Sequence, residues 1–344
     1  MKKYYFIFVF KQRLRKVAWN NFLKIKRIKN YRIIDLSGPV KFFVFSRLLI
    51  FINNLFYKKI SNLILISCDG LPFIKKNGVN MWFGGTKSKI PTEFKKYQNN
   101  LVTVNNIFYN KKNLITLYPK ITKNETFTKN FKIIYISSIE LNYSKQSKEI
   151  WKRYQSIIVK DFSLIDKEKF WQKKDLKKLN QRQDIYRDLK SFLRVYIIKK
   201  INTKFKKDLI IIGNDWKRYI KNAQSSNHDL QYIRAMYKGN ICLDFGSRWG
   251  DNVLYARSIE ILESGGYLLQ STQSDSVKSF SYLKTSNNFS TVKELVEKLN
   301  MYKQNYNLLN QNYKKIFAHY KNDKFNYKTL TFIKKISEKN IDKT

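Results

Sequence analysis

Arg257 and Glu260 lie three residues apart within Asn240–Gln270, the stretch NICLDFGSRWGDNVLYARSIEILESGGYLLQ. On a helix that spacing projects a guanidinium and a carboxylate from one face. The stretch reads as a strand, a polar loop, a helix, a double-glycine stop and a second strand. A helix start is itself an anion site, because its first N–H groups lack partners and its dipole is positive there. These parts together suit a nucleoside diphosphate, with positive charge for the diphosphate and a carboxylate for the ribose hydroxyls. The same pattern also describes an ordinary βαβ unit with a solvated ion pair, and spacing by itself favours that plainer reading.

Further polar groups cluster nearby in sequence. The loop before the helix carries Arg248, a second diphosphate candidate, and Asp251 and Asn252, which reach sugar or phosphate if the helix entry is the site. Trp216 follows Gly213-Asn214-Asp215 after another apolar run. It either lies against a base or packs in the core or on the surface. Other chemistry has little support. Neither G-x-x-x-x-G-K-[ST] nor G-x-G-x-x-G occurs, and serine and zinc hydrolase signatures are absent. Cys68 and Cys242 are far apart and His228 and His319 are the only histidines, so no metal ligand set and no cofactor are expected.

The elements that must hold these residues alternate regularly in the second half. Strand patterns at Lys132–Ser137, Leu209–Ile212, Asn240–Phe245 and Tyr267–Gln270 interleave with helical patterns at Lys145–Tyr154 and Tyr186–Ile201. A Thr-Val-Lys-Glu capping box at Thr291 opens the closing helices. Such alternation predicts a parallel sheet with helices on both faces, and ligands beyond the carboxyl ends of its strands. The loops Gly213–Trp216, Gly246–Asn252 and Ser271–Ser274 should converge there. All four prolines fall in the first 120 residues. Strand-like runs at Leu63–Cys68, Met81–Phe83, Leu101–Asn105 and Leu114–Leu117 and a core helix over Val40–Tyr57 suggest a second, abbreviated α/β domain. The expected division is a basic aromatic segment 1–35, a domain 36–125, a boundary in the polar run Thr122–Asn130, a domain 131–330 and a tail 331–344.

The run Arg257-Ser258-Ile259-Glu260-Ile261-Leu262-Glu263-Ser264-Gly265-Gly266-Tyr267-Leu268-Leu269 resembles the donor-binding segment of group 1 glycosyltransferases of the GT-B fold. The resemblance extends to about Tyr327, and more weakly back to Ile133–Ser137. It implies two Rossmann-like domains with a nucleotide-sugar cleft between them, the N-terminal one abbreviated. It also implies that Glu260 holds the donor ribose, that Arg257 contacts the diphosphate, and that Gly265 and Gly266 turn the chain tightly beside the donor. The implied reaction moves a sugar from a nucleoside diphosphate to a surface-polysaccharide or lipid-linked glycan acceptor. No cofactor beyond the donor itself is implied. The chain departs from the pattern where many members carry an earlier glutamate, a position held here by Asn252 beside Asp251. If the reaction inverts the anomeric centre, Asp69 in the Cys68-Asp69-Gly70 turn is the best-placed base, although Asp-Gly is also a plain turn.

The 344 residues carry a formal net charge of +43, with 43% hydrophobic and 16% aromatic content. That composition supports a packed protein whose field attracts nucleic acid, anionic lipid or phosphorylated substrates. Abundant Lys, Asn, Ile, Tyr and Phe are also what an A- and T-rich coding sequence produces. No acid precedes Asp35, so the opening is either a peripheral contact with anionic lipid or a first strand followed by a solvated basic helix. No apolar stretch approaches the roughly 20 residues of a spanning helix. The expected location is cytoplasmic, or peripheral on the inner face of the membrane. An RNA-associated basic protein and an inactive GT-B-like binding module are the competing readings, with nucleic acid the less favoured partner.

Overall fold

The computed structural model describes the segments 4–9, 31–35, 63–67, 79–82 and 101–103, then residues 118–139, 142–179, 182–225, 229–246, 256–272, 287–322 and 324–341. The expected helix at Val40–Tyr57 and strand at Leu114–Leu117 lie outside these residues. The chain divides into two compact units, residues 1–118 with 323–344, and residues 119–322.

In the first unit, β1 (Tyr4–Val9), β2 (Tyr31–Asp35), β3 (Leu63–Ser67), β4 (Val79–Trp82) and β5 (Leu101–Thr103) form a parallel sheet in the order β2-β1-β3-β4-β5. Tyr5 of β1 pairs with Arg32 on one side and Leu63 on the other. The opening residues are therefore not a segment apart. Their apolar run is an interior strand, and interior strands of parallel sheets are apolar on both faces because both are covered.

The second unit begins with β6 (Ile133–Ile136), α1 (Lys145–Ile158), α2 (Arg182–Phe205), β7 (Leu209–Ile212) and α3 (Leu230–Tyr237). It continues with β8 (Ile241–Asp244), α4 (Ala256–Glu263), β9 (Tyr267–Ser271), β10 (Asn288–Phe289), α5 (Val292–Gln304) and α6 (Tyr306–Tyr320). Its sheet is parallel, in the order β10-β9-β8-β6-β7. Counted from the first strand of each unit, both sheets have the doubly wound order 2-1-3-4-5. Here α1 packs on α2 and α2 on α5, while α3 packs on α4. Right-handed crossovers put those two groups on opposite faces. The order reverses between β6 and β8, so the carboxyl ends of those strands flank the switch point where ligands of such sheets bind.

Two boundaries differ from expectation. The polar run Thr122–Asn130 is not a linker: Phe127 N donates to Asn310 Oδ1 at 2.7 Å and Asn310 Nδ2 donates to Phe127 O at 2.9 Å. The Phe127 ring is buried edge-on against Tyr267 and Tyr313, and that burial outweighs the polar neighbours. The last helix, α7 (Lys324–Ile341), groups with the first unit and packs on β4, so neither the 131–330 boundary nor a free tail describes it.

Candidate functional site

Asp244 closes β8 and is fully buried. Its Oδ1 accepts from Gly246 N at 3.0 Å, and its Oδ2 accepts from Ser258 Oγ in the first turn of α4. Arg257 Nη1 stands 3.7 Å from Asp244 Oδ1, with its side chain 23% exposed. One carboxylate thus ties the strand end to Gly246 just beyond it and to the first turn of α4. Gly246 takes φ +70°, a left-handed turn that glycine adopts without strain. From the opposite face of the sheet, the buried Arg194 of α2 donates an Nη2 proton to Gly246 O. Two guanidiniums and one carboxylate therefore meet beside the switch point. Their fields reach Tyr135 of β6: burial raises its hydroxyl pKa, while Arg194 and Arg257 pull it down.

Glu260 lies one turn along α4 from Arg257 and is 9% exposed. Arg234 of α3 stands at 3.7 Å, an ion pair rather than a hydrogen bond. Burial raises the Glu260 pKa, and Arg234 and Arg257 only partly oppose it. The folded state therefore holds the Glu260 proton more tightly than the unfolded chain does. The resulting penalty is absent below the ordinary carboxylate pKa, grows as the pH rises from there to the raised one, and is full above it. Glu260→Gln is expected to raise stability at neutral pH and to flatten its pH dependence. Urea midpoints at several pH values check this; an unchanged pH profile would show that Glu260 is not the group responsible.

The other predicted residues separate by position. Trp216 belongs to the core, not to a ligand face: it is fully buried and its Nε1 donates to Ser137 O. It begins a row of buried rings across the carboxyl edge. Tyr135 is edge-on to Trp216 with centroids 5.5 Å apart, Phe245 lies 4.8 Å from Tyr135, Phe289 5.9 Å from Phe245, and Phe162 6.1 Å from Phe289.

Gly265 and Gly266 also stand elsewhere than expected. They end α4, an eight-residue helix about 12 Å long that starts near the carboxyl edge and finishes at the amino edge where β9 begins. Gly265 takes φ +82°, Gly265 N donates to Leu262 O at 3.3 Å and Gly266 N to Ile261 O at 2.9 Å. Those two bonds are a Schellman stop. A Cβ on Gly265 would meet Glu125 Cγ at 2.3 Å, and one on Gly266 would meet Cys242 Sγ at 2.9 Å. The tight turn is present, but its neighbours are the half-buried Glu125 and the buried Cys242. Arg248, Asp251, Asn252 and Asp69 lie outside the described residues, as does most of the loop after Thr272.

Sequence reasoning missed Asp244, Ser258, Arg194 and Arg234. The acid ending the apolar run Ile241–Asp244 was a readable signal, since a strand-terminal carboxylate at a sheet's carboxyl edge faces the ligand side. Arg194 gave none, being one of many charges on a long helix.

No known family model matches this chain, and neither does any curated protein. Among solved structures, a crystal structure of a glycosyltransferase from Rickettsia africae ESF-5 is similar over 100% of both chains, at 12% identity and a TM-score of 0.46.

Proposed function

We propose that this protein is a GT-B-type glycosyltransferase whose second unit binds the diphosphate of a nucleoside-diphosphate sugar and whose first unit handles a glycan or lipid-linked acceptor. The observation that carries the reading is Arg257 at the carboxyl end of β8, braced by Asp244, with Glu260 one turn further along the same helix. The donor-like run Arg257–Leu269 supports it, as do two doubly wound sheets of the same strand order. In the proposed reaction the bond from the sugar's anomeric carbon to the diphosphate oxygen breaks, and the diphosphate leaves with the electron pair. The acceptor hydroxyl oxygen bonds to that carbon and gives up its proton. Arg257, with Arg194 behind it, supplies fixed positive charge where negative charge develops on the leaving group. Glu260 accepts hydrogen bonds from the ribose hydroxyls. Asp69 is the proposed base if the anomeric centre inverts.

The test is thermal stabilisation by uridine, guanosine, adenosine and cytidine diphosphates, followed by turnover of a labelled sugar nucleotide. One base should raise Tm, and Glu260→Ala should abolish that rise. Arg257→Ala should weaken binding about tenfold to a hundredfold, since hydrogen bonds to charged groups are worth roughly 1.5–3 kcal/mol. Stabilisation without turnover would indicate an inactive binding module. No response to any diphosphate, together with salt-sensitive RNA binding, would sink the transferase reading.

A further inference from the structure

One face of α7 differs in composition from the outer faces of α1 and α5. Lys324, Tyr327, Lys328, Phe332 and Lys335 are exposed, with Thr331 among them half-buried. Spacings of three and four residues put all six on a single stripe of the 18-residue helix. Asn326, Thr329, Leu330, Ile333 and Ile336 form the opposite, buried face. Tyr327 is 44% exposed and Phe332 37%. Asp323 directly precedes the helix in sequence, and within the helix no acid occurs before Glu338. By contrast, the exposed lysines of α1 are interrupted by Glu149, and the exposed face of α5 carries Glu297.

We propose that the outer face of α7 is a contact surface for an anionic lipid bilayer. Three lysines suit the negative headgroup layer, where basic side chains near the surface are attracted within a Debye length. The Phe332 ring has no polar atom, so its exposed part is stabilised only by leaving water. Tyr327, with an apolar ring and a polar tip, fits the depth at which headgroups meet acyl chains. Lysine stems reach past such rings while their ammonium groups stay in the headgroup layer. The same compact unit contains the opening segment, whose first 34 residues hold eleven lysines and arginines and no acid. RNA fits less well: single strands bind along grooves whose rings stack successive bases, whereas these rings sit on a convex helix about 7.5 Å apart in rise. No helix among the described residues is long and apolar enough to cross a membrane, so the contact is with the surface.

A chain of net charge +43 will collect on anionic vesicles without any dedicated surface, so the aromatic residues decide the matter. The full chain is sedimented with vesicles of phosphatidylcholine alone and of phosphatidylcholine with phosphatidylglycerol. Tyr327→Ser with Phe332→Ser leaves the charge unaltered and is expected to lower partitioning onto the mixed vesicles about tenfold, as two buried rings are lost from the contact. Lys324→Glu, Lys328→Glu and Lys335→Glu together should lower it further. Lys148→Glu with Lys152→Glu on α1 should change it less than twofold. Matching melting curves establish that each variant is folded. Equal partitioning of the aromatic variant and the parent would overturn the proposal. So would a loss confined to single-stranded RNA binding with vesicle binding unchanged, which would assign the stripe to nucleic acid.

Discussion

Lys190→Met is expected to destabilise the second unit by about 3–5 kcal/mol, the range for breaking a buried ion pair by removing one partner. Lys190 Nζ lies 2.7 Å from Asp166 Oδ1 and 2.8 Å from Asp166 Oδ2, and both side chains are almost wholly buried. Tyr186 OH donates to Asp166 Oδ1 at 2.7 Å. The triad fastens the long helix α2 to the turn at Leu164–Asp166. With the ammonium gone, a carboxylate would remain in a dry site with one hydroxyl to solvate it. Asp166→Leu in the Lys190→Met background should recover much of the loss, because an apolar pair of similar volume leaves no uncompensated charge. Urea unfolding of the two single variants and the double variant forms the cycle. If the single variants unfold at the parent midpoint, this pair does not hold α2. Because α2 also carries Arg194, four residues on, the same variant is expected to weaken nucleoside-diphosphate binding.

Gly213→Ala should cost about 3 kcal/mol or more, through overpacking together with backbone strain. An added Cβ would stand 2.2 Å from Ser137 O, 2.5 Å from Ser137 C and 2.9 Å from Ser138 N, and Gly213 takes φ +156°. Those neighbours are backbone, so no rotamer change can relieve the clash. The ends of β6 and β7 would have to part, breaking the bond from Ser137 N to Ile212 O, now 2.9 Å. For a unit of this size the expected fall in Tm is roughly 6–12 °C. The damage should also reach ligand binding, since Ser137 and Ser138 lie at the carboxyl end of β6 beside the switch point. Calorimetry and the diphosphate titration together check both parts. An alanine variant with the parent Tm would mean that β6 and β7 separate more easily than their spacing implies.

These variants act where sequence and structure carry different information. The second sheet was legible in the sequence because its strands are short, continuous apolar runs punctuated by glycine and asparagine. Lys132–Ser137, Leu209–Ile212, Asn240–Phe245 and Tyr267–Gln270 match the observed strands to within one residue at either end. The cap at Thr291 was legible for the same local reason: Glu294 N donates to Thr291 Oγ1 at 3.1 Å, a bond spanning three residues. The pairing of Arg257 and Glu260 on one helix also followed from spacing alone.

What local spacing does not encode is which groups from distant segments meet. Asp244 and Ser258 are brought together across 14 residues, and Arg194 and Gly246 across 52. From its strand-end position Trp216 read equally as a base-facing ring or as a core or surface residue, and Tyr135 and Ser137, some 80 residues earlier, draw it inside. Glycines 265 and 266 were expected beside the donor only because the run Arg257–Leu269 resembles a glycosyltransferase donor-binding segment. Helix rise then carries them about 12 Å from the carboxyl edge. The sequence by itself determined the strand–helix alternation and the charged face of α4. Only the tertiary structure decided the strand order, the bracing of Arg257 by a buried carboxylate and the return of α7 to the first unit. Such choices depend on burial and on contacts between remote segments, and neither leaves a local periodicity to read.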